Sequence, residues 1–190
     1  MSYAEIIQTR EWIPSRLYNI LIVLSASLLI AVSAQFAFQL PFSPVPITAQ
    51  TAAVFLIAAL LGKKRGAAAV SLYLIEGALG LPVFAGGKSG LTALVGPTGG
   101  YLIGFLAAAY LVGAVVERGW DRTVVSSLLA LALGNGAVYL CGLTWLGLAL
   151  GTQEALTLGL YPFLPGDLIK IFLTSGVLAA SGFYKPRLLN

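Results

Sequence analysis

The stretch VVSSLLALALGNGAVYLCGLTWLGLAL, residues 124–150, is apolar along its whole length and contains no charged side chain. A helix needs about 20 apolar residues to cross ~30 Å of hydrocarbon, and this stretch exceeds that length. The rest of the chain has the same character, since 58% of its 190 residues are hydrophobic and only 9% are charged. Soluble domains carry about 25% charged residues. Lipid is therefore the predicted solvent for most of this chain.

Five further apolar runs accompany this stretch. In chain order, the six predicted spans cover residues 17–40, 45–61, 66–81, 98–116, 124–150 and 167–183. The second and third are close to the lower length limit for crossing a bilayer. Because nearly every residue belongs to a span or a short connector, we predict an all-α integral membrane protein with a single domain, residues 1–190. Its expected form is a compact bundle of six transmembrane helices after a short cytoplasmic segment, residues 1–16.

The positive charges predict the orientation. With six alternating spans, all cations except Lys88 and Lys170 fall on one side: Arg10, Arg16, Lys63, Lys64, Arg65, Arg118, Arg122, Lys185 and Arg187. The positive-inside rule makes that side cytoplasmic, together with both termini, in a multi-pass protein of the plasma (inner) membrane. The net charge of +4 needs no nucleic acid as partner, because cytoplasmic loops face anionic lipid.

The beginning of the chain imitates a secretory signal peptide. Two arginines precede an apolar run, and AVSAQ, residues 31–35, resembles a cleavage site. The apolar run continues through Phe36 and Phe38 beyond that site. We therefore predict that the first span is retained.

Several kinds of chemistry are excluded by composition. The chain has no histidine, which rules out Ser–His catalysis and histidine-ligated metals. GGKSG, residues 86–90, approaches a phosphate-binding loop, but Pro82 stands where the first glycine of that motif belongs. We predict that the protein is not an enzyme, holds no metal or cofactor, and does not hydrolyse ATP by itself.

Three connectors on the predicted outer side are rich in Gly and Pro. They are PFSPVPITAQ (41–50), LPVFAGGKSGLTALVGPTGGY (81–101) and TQEALTLGLYPFLPGD (152–167). Irregular backbone at membrane depth is tolerated where it lines a cavity. Glu76 and Lys170 also lie toward this side, and charges at that depth are costly unless they are paired or serve a pocket. A small-molecule site that opens outward is the prediction.

Four sequence blocks, in order, carry a family resemblance. PFSPVPITAQT, GLPVFAGGKSG with GPTGGYLIGF, GNGAVYLCGLTWL and PFLPGDLIK together resemble the BioY family, over about residues 17–183. That family provides the substrate-binding membrane subunit, or S component, of energy-coupling-factor (ECF) biotin transporters. The resemblance implies a six-helix bundle that captures biotin at the extracellular side. It also implies a transmembrane coupling subunit and two cytoplasmic ATPases as partners. Some members are thought to work alone, so the alternative is a self-sufficient carrier of biotin or another small vitamin, driven by an ion gradient.

The GDxxK motif carries the first ligand candidates. Biotin has a ureido ring with two N–H donors and one carbonyl acceptor. Asp167 can accept from the N–H groups and Lys170 can donate to the ligand, and the resemblance places the ureido-binding residues in this motif. The alternative is that Asp167 caps the sixth helix and Lys170 only pairs with it.

A polar pair in the fifth span is the second candidate. Asn135 and Tyr139 are four residues apart, hence on one helical face. They are predicted to contact the polar edge and the ring of the ligand. The alternative is a hydrogen bond between helices that stabilises the bundle.

The glycine-rich connector is the candidate for the ligand's carboxylate. Gly86 and Gly87 could expose backbone N–H groups, Thr98 and Tyr101 add hydroxyls, and Lys88 could attract the anion. Some relatives present Asn or Arg in this region, where this chain has glycines or Thr98. The alternatives are a purely structural role for the glycines and, for Lys88, a solvated loop charge.

Three predictions concern the remaining polar and small residues. Gln50 follows the prolines of the first outer connector, which resembles a lid, and is a candidate ligand contact. Glu76 could pair with Lys170, line the pocket or titrate in a self-sufficient carrier. A small-residue face of the first span is the predicted docking site for a coupling subunit, with packing inside the bundle as the alternative. That face consists of Ser27, Ala31 and Ala34.

Overall fold

The computed structural model describes residues 15–180. The predicted inner cations Arg10, Lys185 and Arg187, both termini and residues 181–183 of the sixth span lie outside the described residues. The elements in chain order are α1 (Ser15–Gln35), β1 (Ala37–Phe38), β2 (Ile47–Thr48), α2 (Gln50–Ala78), a 3₁₀ turn (Ala85–Gly87), α3 (Leu91–Val95), α4 (Gly99–Val116), α5 (Val124–Leu150), α6 (Thr152–Gly159) and α7 (Leu164–Ala180).

The long helix α2 reverses direction at Gly62. This residue has φ 77° and ψ 176°, a conformation that is essentially restricted to glycine. Across the turn, the side-chain amide of Gln50 donates a 2.6 Å hydrogen bond to the Tyr73 hydroxyl. In a straight helix these residues would lie about 35 Å apart at 1.5 Å per residue. α2 is therefore a hairpin whose arms, residues 50–61 and 63–78, correspond to the second and third predicted spans.

The helices close into a bundle around this hairpin. α2 contacts α1, α4 and α7, while α5 contacts α4, α6 and α7. Glycines allow the close approaches, as where Gly104 of α4 lies against the Val138 backbone of α5. Tyr73, Phe55 and Leu131 are fully buried at the centre. The predominantly helical architecture agrees with the prediction.

The basic segments meet at one end of the bundle. Glu117, after α4, accepts a 2.9 Å hydrogen bond from the Lys63 backbone N–H and pairs with the Lys63 ammonium at 3.5 Å. The guanidinium carbon of Arg65 lies 5.9 Å from the ring centroid of Tyr18 near the start of α1. The beginning of α1, the turn of α2 and the end of α4 therefore share this end.

Within residues 15–180, three helices, α1, α4 and α5, are long and apolar enough to cross a membrane. The pair α6 and α7 passes the same test as one span, bent by 52°. Large apolar side chains on α1, α5 and α7 face outward, among them Leu28, Leu140 and Phe172. Such surfaces suit lipid rather than water.

Several predicted boundaries were wrong. The arms of α2, residues 50–61 and 63–78, differ by up to five residues from the predicted spans 45–61 and 66–81. The first span ends at Gln35 instead of residue 40, because the chain continues as β1, which pairs antiparallel with β2. Residues 152–159, predicted as connector, form helix α6. This helix buries only Ala155 and Gly159, so its pattern is too short and one-sided to resemble a span. The last helix begins at Leu164 rather than residue 167, since proline is tolerated in a first helical turn.

Candidate functional site

A cavity opens at the end of the bundle opposite the basic segments. The space between its walls is about 710 Å³, including the part open to solvent. Residues of α2, α4, α5 and α7 form its wall together with the outer connectors. Its apolar surface comes from Val45, Phe84, Leu102, Phe105, Val138 and Phe163.

Asp167 is the centre of the polar part of this wall. It lies in the first turn of α7 and is only 7% exposed. Its Oδ1 accepts a 2.9 Å hydrogen bond from the Lys170 ammonium, and its Oδ2 accepts a 2.5 Å bond from the Tyr139 hydroxyl of α5. Each carboxylate oxygen keeps a lone pair, and the ammonium keeps two donors. All three side chains line the cavity.

The helix-cap alternative for Asp167 does not fit this geometry. α7 begins three residues earlier, at Leu164, and the carboxylate bonds to side chains instead of backbone N–H groups. The ion pair with Lys170, one turn away, is present. Because both side chains line the cavity, their remaining hydrogen-bonding capacity is available on the cavity side.

Three more of the predicted ligand residues line the cavity. Gln50 lines the cavity, and its side-chain amide is held in place by its hydrogen bond to the Tyr73 hydroxyl. The ring of Tyr101 contributes to the wall, and its hydroxyl donates a 2.9 Å bond to the Gly159 carbonyl, which anchors α6. Thr98 precedes α4 on the same wall.

Four predicted residues lie outside the cavity wall. Asn135 is 8% exposed and its buried Oδ1 has no partner among the described residues. Glu76 instead accepts a 2.6 Å hydrogen bond from the Ser27 hydroxyl. Gly86 and Gly87 belong to the loop beside the cavity, and the Gly87 N–H donates to the Phe84 carbonyl at 3.0 Å. That N–H is therefore used within the loop.

The predicted docking face is buried by the chain itself. Ser27, Ala31 and Ala34 are covered by neighbouring segments, and Ser27 bonds to Glu76 of α2. The outer face of α1 carries leucines instead, such as Leu24 and Leu28. This arrangement matches the alternative of packing inside the bundle.

The apolar wall is the part of the site that sequence reasoning missed. Phe84 lies within the FAGG string and Phe163 within PFLPGD, so attention to aromatics inside those motifs could have found both. Phe105 and Val138 gave no such signal, because α4 and α5 are apolar on every face.

Ser43, between β1 and β2, was also missed. Its hydroxyl donates to the Leu158 carbonyl at 2.7 Å and holds the β1–β2 segment over the cavity beside α6.

Comparison with known proteins identifies the family of this chain. A model of the BioY family matches residues 7–184. The chain belongs to the BioY family. The resemblance predicted from the four sequence blocks is thereby confirmed, and with it a membrane transport protein rather than an enzyme. Within residues 15–180, no group of three or more His, Cys, Asp or Glu side chains could hold a metal ion.

Two curated BioY relatives illustrate the similarity. The biotin transporter BioY of Thermotoga maritima is 38% identical over 87% of this chain and 92% of its own length. The biotin transporter BioY of Rhodobacter capsulatus is 41% identical over 89% of this chain and 95% of its own length. The crystal structure of the S-component for biotin from an ECF-type ABC transporter matches with a TM-score of 0.78 and 26% identity, over 90% of this chain and 93% of that one.

Proposed function

We propose that this chain is the biotin-binding membrane subunit of a biotin uptake system. Membership of the BioY family supports the substrate, and one structural observation supports it most directly. The cavity combines apolar walls with a buried Asp167–Lys170 pair that has unused acceptors and donors. A ureido group needs this combination, because it offers two N–H donors and one carbonyl acceptor.

In the proposed complex, the carboxylate of Asp167 accepts hydrogen bonds from the ureido N–H groups, and the ammonium of Lys170 donates one to the ureido carbonyl. Tyr139 holds the carboxylate in place from α5. The aromatic side chains Phe84, Phe105 and Phe163 surround the fused rings and exclude water. In a site of low polarity, these hydrogen bonds discriminate strongly against ligands that lack the ureido group.

The proposed membrane arrangement is a single domain of six crossing segments in the plasma membrane. The segments are α1, the two arms of α2, α4, α5 and the bent pair of α6 and α7. The basic end then faces the cytoplasm, with both termini, and the cavity faces outward. Labelling single cysteines with a membrane-impermeant reagent tests this. Labelling from outside is expected at Ser89→Cys and absent at Lys64→Cys, and the reverse result would overturn the orientation.

The proposed partners are a transmembrane coupling subunit and two ATPases, as the ECF context of the solved relative suggests. A biotin-auxotrophic host without any such module distinguishes this from the self-sufficient carrier. Growth on trace biotin that requires the co-expressed module supports the proposal. Growth with this chain alone supports the carrier instead.

Binding itself is tested on the purified chain. Equilibrium dialysis with labelled biotin, without nucleotide, should give saturable binding that unlabelled biotin displaces. The site residues all come from this chain, so no partner is needed. A monodisperse preparation that shows no saturable binding would overturn the proposed function.

A further inference from the structure

The charges of the cavity wall do not balance. Within residues 15–180, three charged side chains line the wall, namely Asp167, Lys170 and Lys88. Asp167 and Lys170 neutralise each other at 2.9 Å. Lys88 forms no ion pair with any described residue. The wall therefore has one cation in excess, which favours a ligand with one negative charge.

Lys88 stands at the mouth of the cavity. It lines both the cavity and an adjoining open groove, and Thr98 is also shared by the two. The groove adds the side chains of Ser89 and Thr92. A lysine beside several hydroxyl groups offers the donors that a partly solvated carboxylate requires.

The loop that carries Lys88 is held in one conformation. The Phe84 N–H donates to the Lys88 carbonyl at 3.0 Å, and the Gly87 N–H donates to the Phe84 carbonyl at 3.0 Å. Phe84 is 2% exposed and meets the Tyr73 ring edge-on at 5.4 Å. Gly86 and Gly87 have φ of 68° and 73°, which allows the tight turn. The backbone of Lys88 is thus anchored in the core although its side chain reaches water.

We propose that Lys88 binds the acidic end of the ligand and makes the site selective for a carboxylate over a neutral ester or amide of the same rings. The proposal rests on the proposed function and extends it. It assigns the ureido end of biotin to Asp167 and Lys170, and the valerate end to Lys88 with Thr98 beside it. The Gly87 N–H is not the carboxylate donor, because the loop already uses it.

The test compares biotin with biotinamide, in which the carboxylate is replaced by a neutral amide. Wild type, Lys88→Gln and Lys88→Arg are measured by equilibrium dialysis. Lys64→Gln is the matched control, an exposed lysine at the opposite end. We expect Lys88→Gln to weaken biotin binding about 5- to 30-fold, the range for a partly solvated charged hydrogen bond. Binding of biotinamide should not change, and Lys88→Arg should retain the preference for biotin.

Added salt gives a second readout. The preference of the wild type for biotin should shrink between 0.01 and 1 M salt, where the screening length falls from about 30 to 3 Å. An unchanged ratio of biotin to biotinamide affinity in Lys88→Gln would overturn the inference, as would equal affinity of the wild type for both ligands. Failure of the wild type to bind either ligand would instead overturn the proposed function.

Discussion

The Tyr139 hydroxyl of α5 donates a hydrogen bond to Oδ2 of Asp167 on α7, 28 residues further along the chain. This bond joins two helices at the cavity wall and leaves the same carboxylate accessible to a ligand. Tyr139→Phe removes the hydroxyl and keeps the ring. We expect biotin affinity to fall about 5-fold, the effect of losing one hydrogen bond of about 1 kcal/mol. Tyr110→Phe, on the outer face of α4, is the control and should bind as the wild type does in equilibrium dialysis.

The Asp167–Lys170 pair should dominate the affinity. Asp167→Asn and Lys170→Ala each remove a partner of the ureido group and leave the other partner unsatisfied. The expected cost is about 1–3 kcal/mol, or roughly 5- to 150-fold in affinity, and more where the lost partner was charged. Isothermal titration with biotin measures it. Wild-type affinity in both variants, in monodisperse preparations, would return the pair to a purely structural role.

Glu76 provides the contrasting case, because its carboxylate bonds to Ser27 and does not line the cavity. Glu76→Gln retains an oxygen that can accept from the Ser27 hydroxyl. We expect biotin affinity within about 2-fold of the wild type, well below the cost of losing a charged ligand contact. A loss as large as that of Asp167→Asn would show that Glu76 belongs to the binding site.

The turn of the α2 hairpin should be intolerant of side chains. Gly62→Ala forces a residue with a Cβ into φ 77° and ψ 176°. The expected loss is about 1–3 kcal/mol of unfolding free energy. Gly136→Ala is the matched control, since Gly136 is helical and a Cβ there meets open space. Thermal unfolding in detergent should separate the two, and equal midpoints would contradict the role of Gly62.

Ala31 tests where the small-residue face of α1 packs. Because Ala31 is buried by the chain, Ala31→Leu should overpack the bundle at a cost of about 1–3 kcal/mol and weaken biotin binding and assembly together. Val32→Leu, on the outer face of the same helix, should be nearly neutral. Unfolding midpoints and co-purification with a coupling subunit are the measurements. Ala31→Leu that binds biotin normally but loses the coupling subunit would identify a docking residue instead.

Length and hydropathy predicted the helices well where a long apolar run had clear ends. α5 has the predicted bounds, residues 124–150, because the N-cap of Thr123 and the positive φ of Gly151 mark its ends. α6 escaped prediction because a short helix packed on a neighbour needs no long apolar run. In membrane proteins, composition alone does not separate lipid-facing from interior positions.

The polar half of the site was predictable and the apolar half was not. Asp167 and Lys170 stand out because charge at membrane depth requires a reason. Asn135 carries the same polar signal yet lies off the cavity wall, and only the packing of α5 decides that. Phe105 lines the cavity, but the sequence does not distinguish it from the many other apolar residues of α4.

The hairpin of α2 also shapes the lipid around the protein. Its arms, residues 50–61 and 63–78, rise only about 18 and 24 Å at 1.5 Å per residue. The hydrocarbon core is ~30 Å thick, and α5, with 27 residues, exceeds it. In the proposed arrangement of six crossing segments, these arms are shorter than the hydrocarbon core that α5 spans. If the arms cross as proposed, the bilayer beside α2 thins locally, and we expect the protein to be most stable in bilayers with short acyl chains.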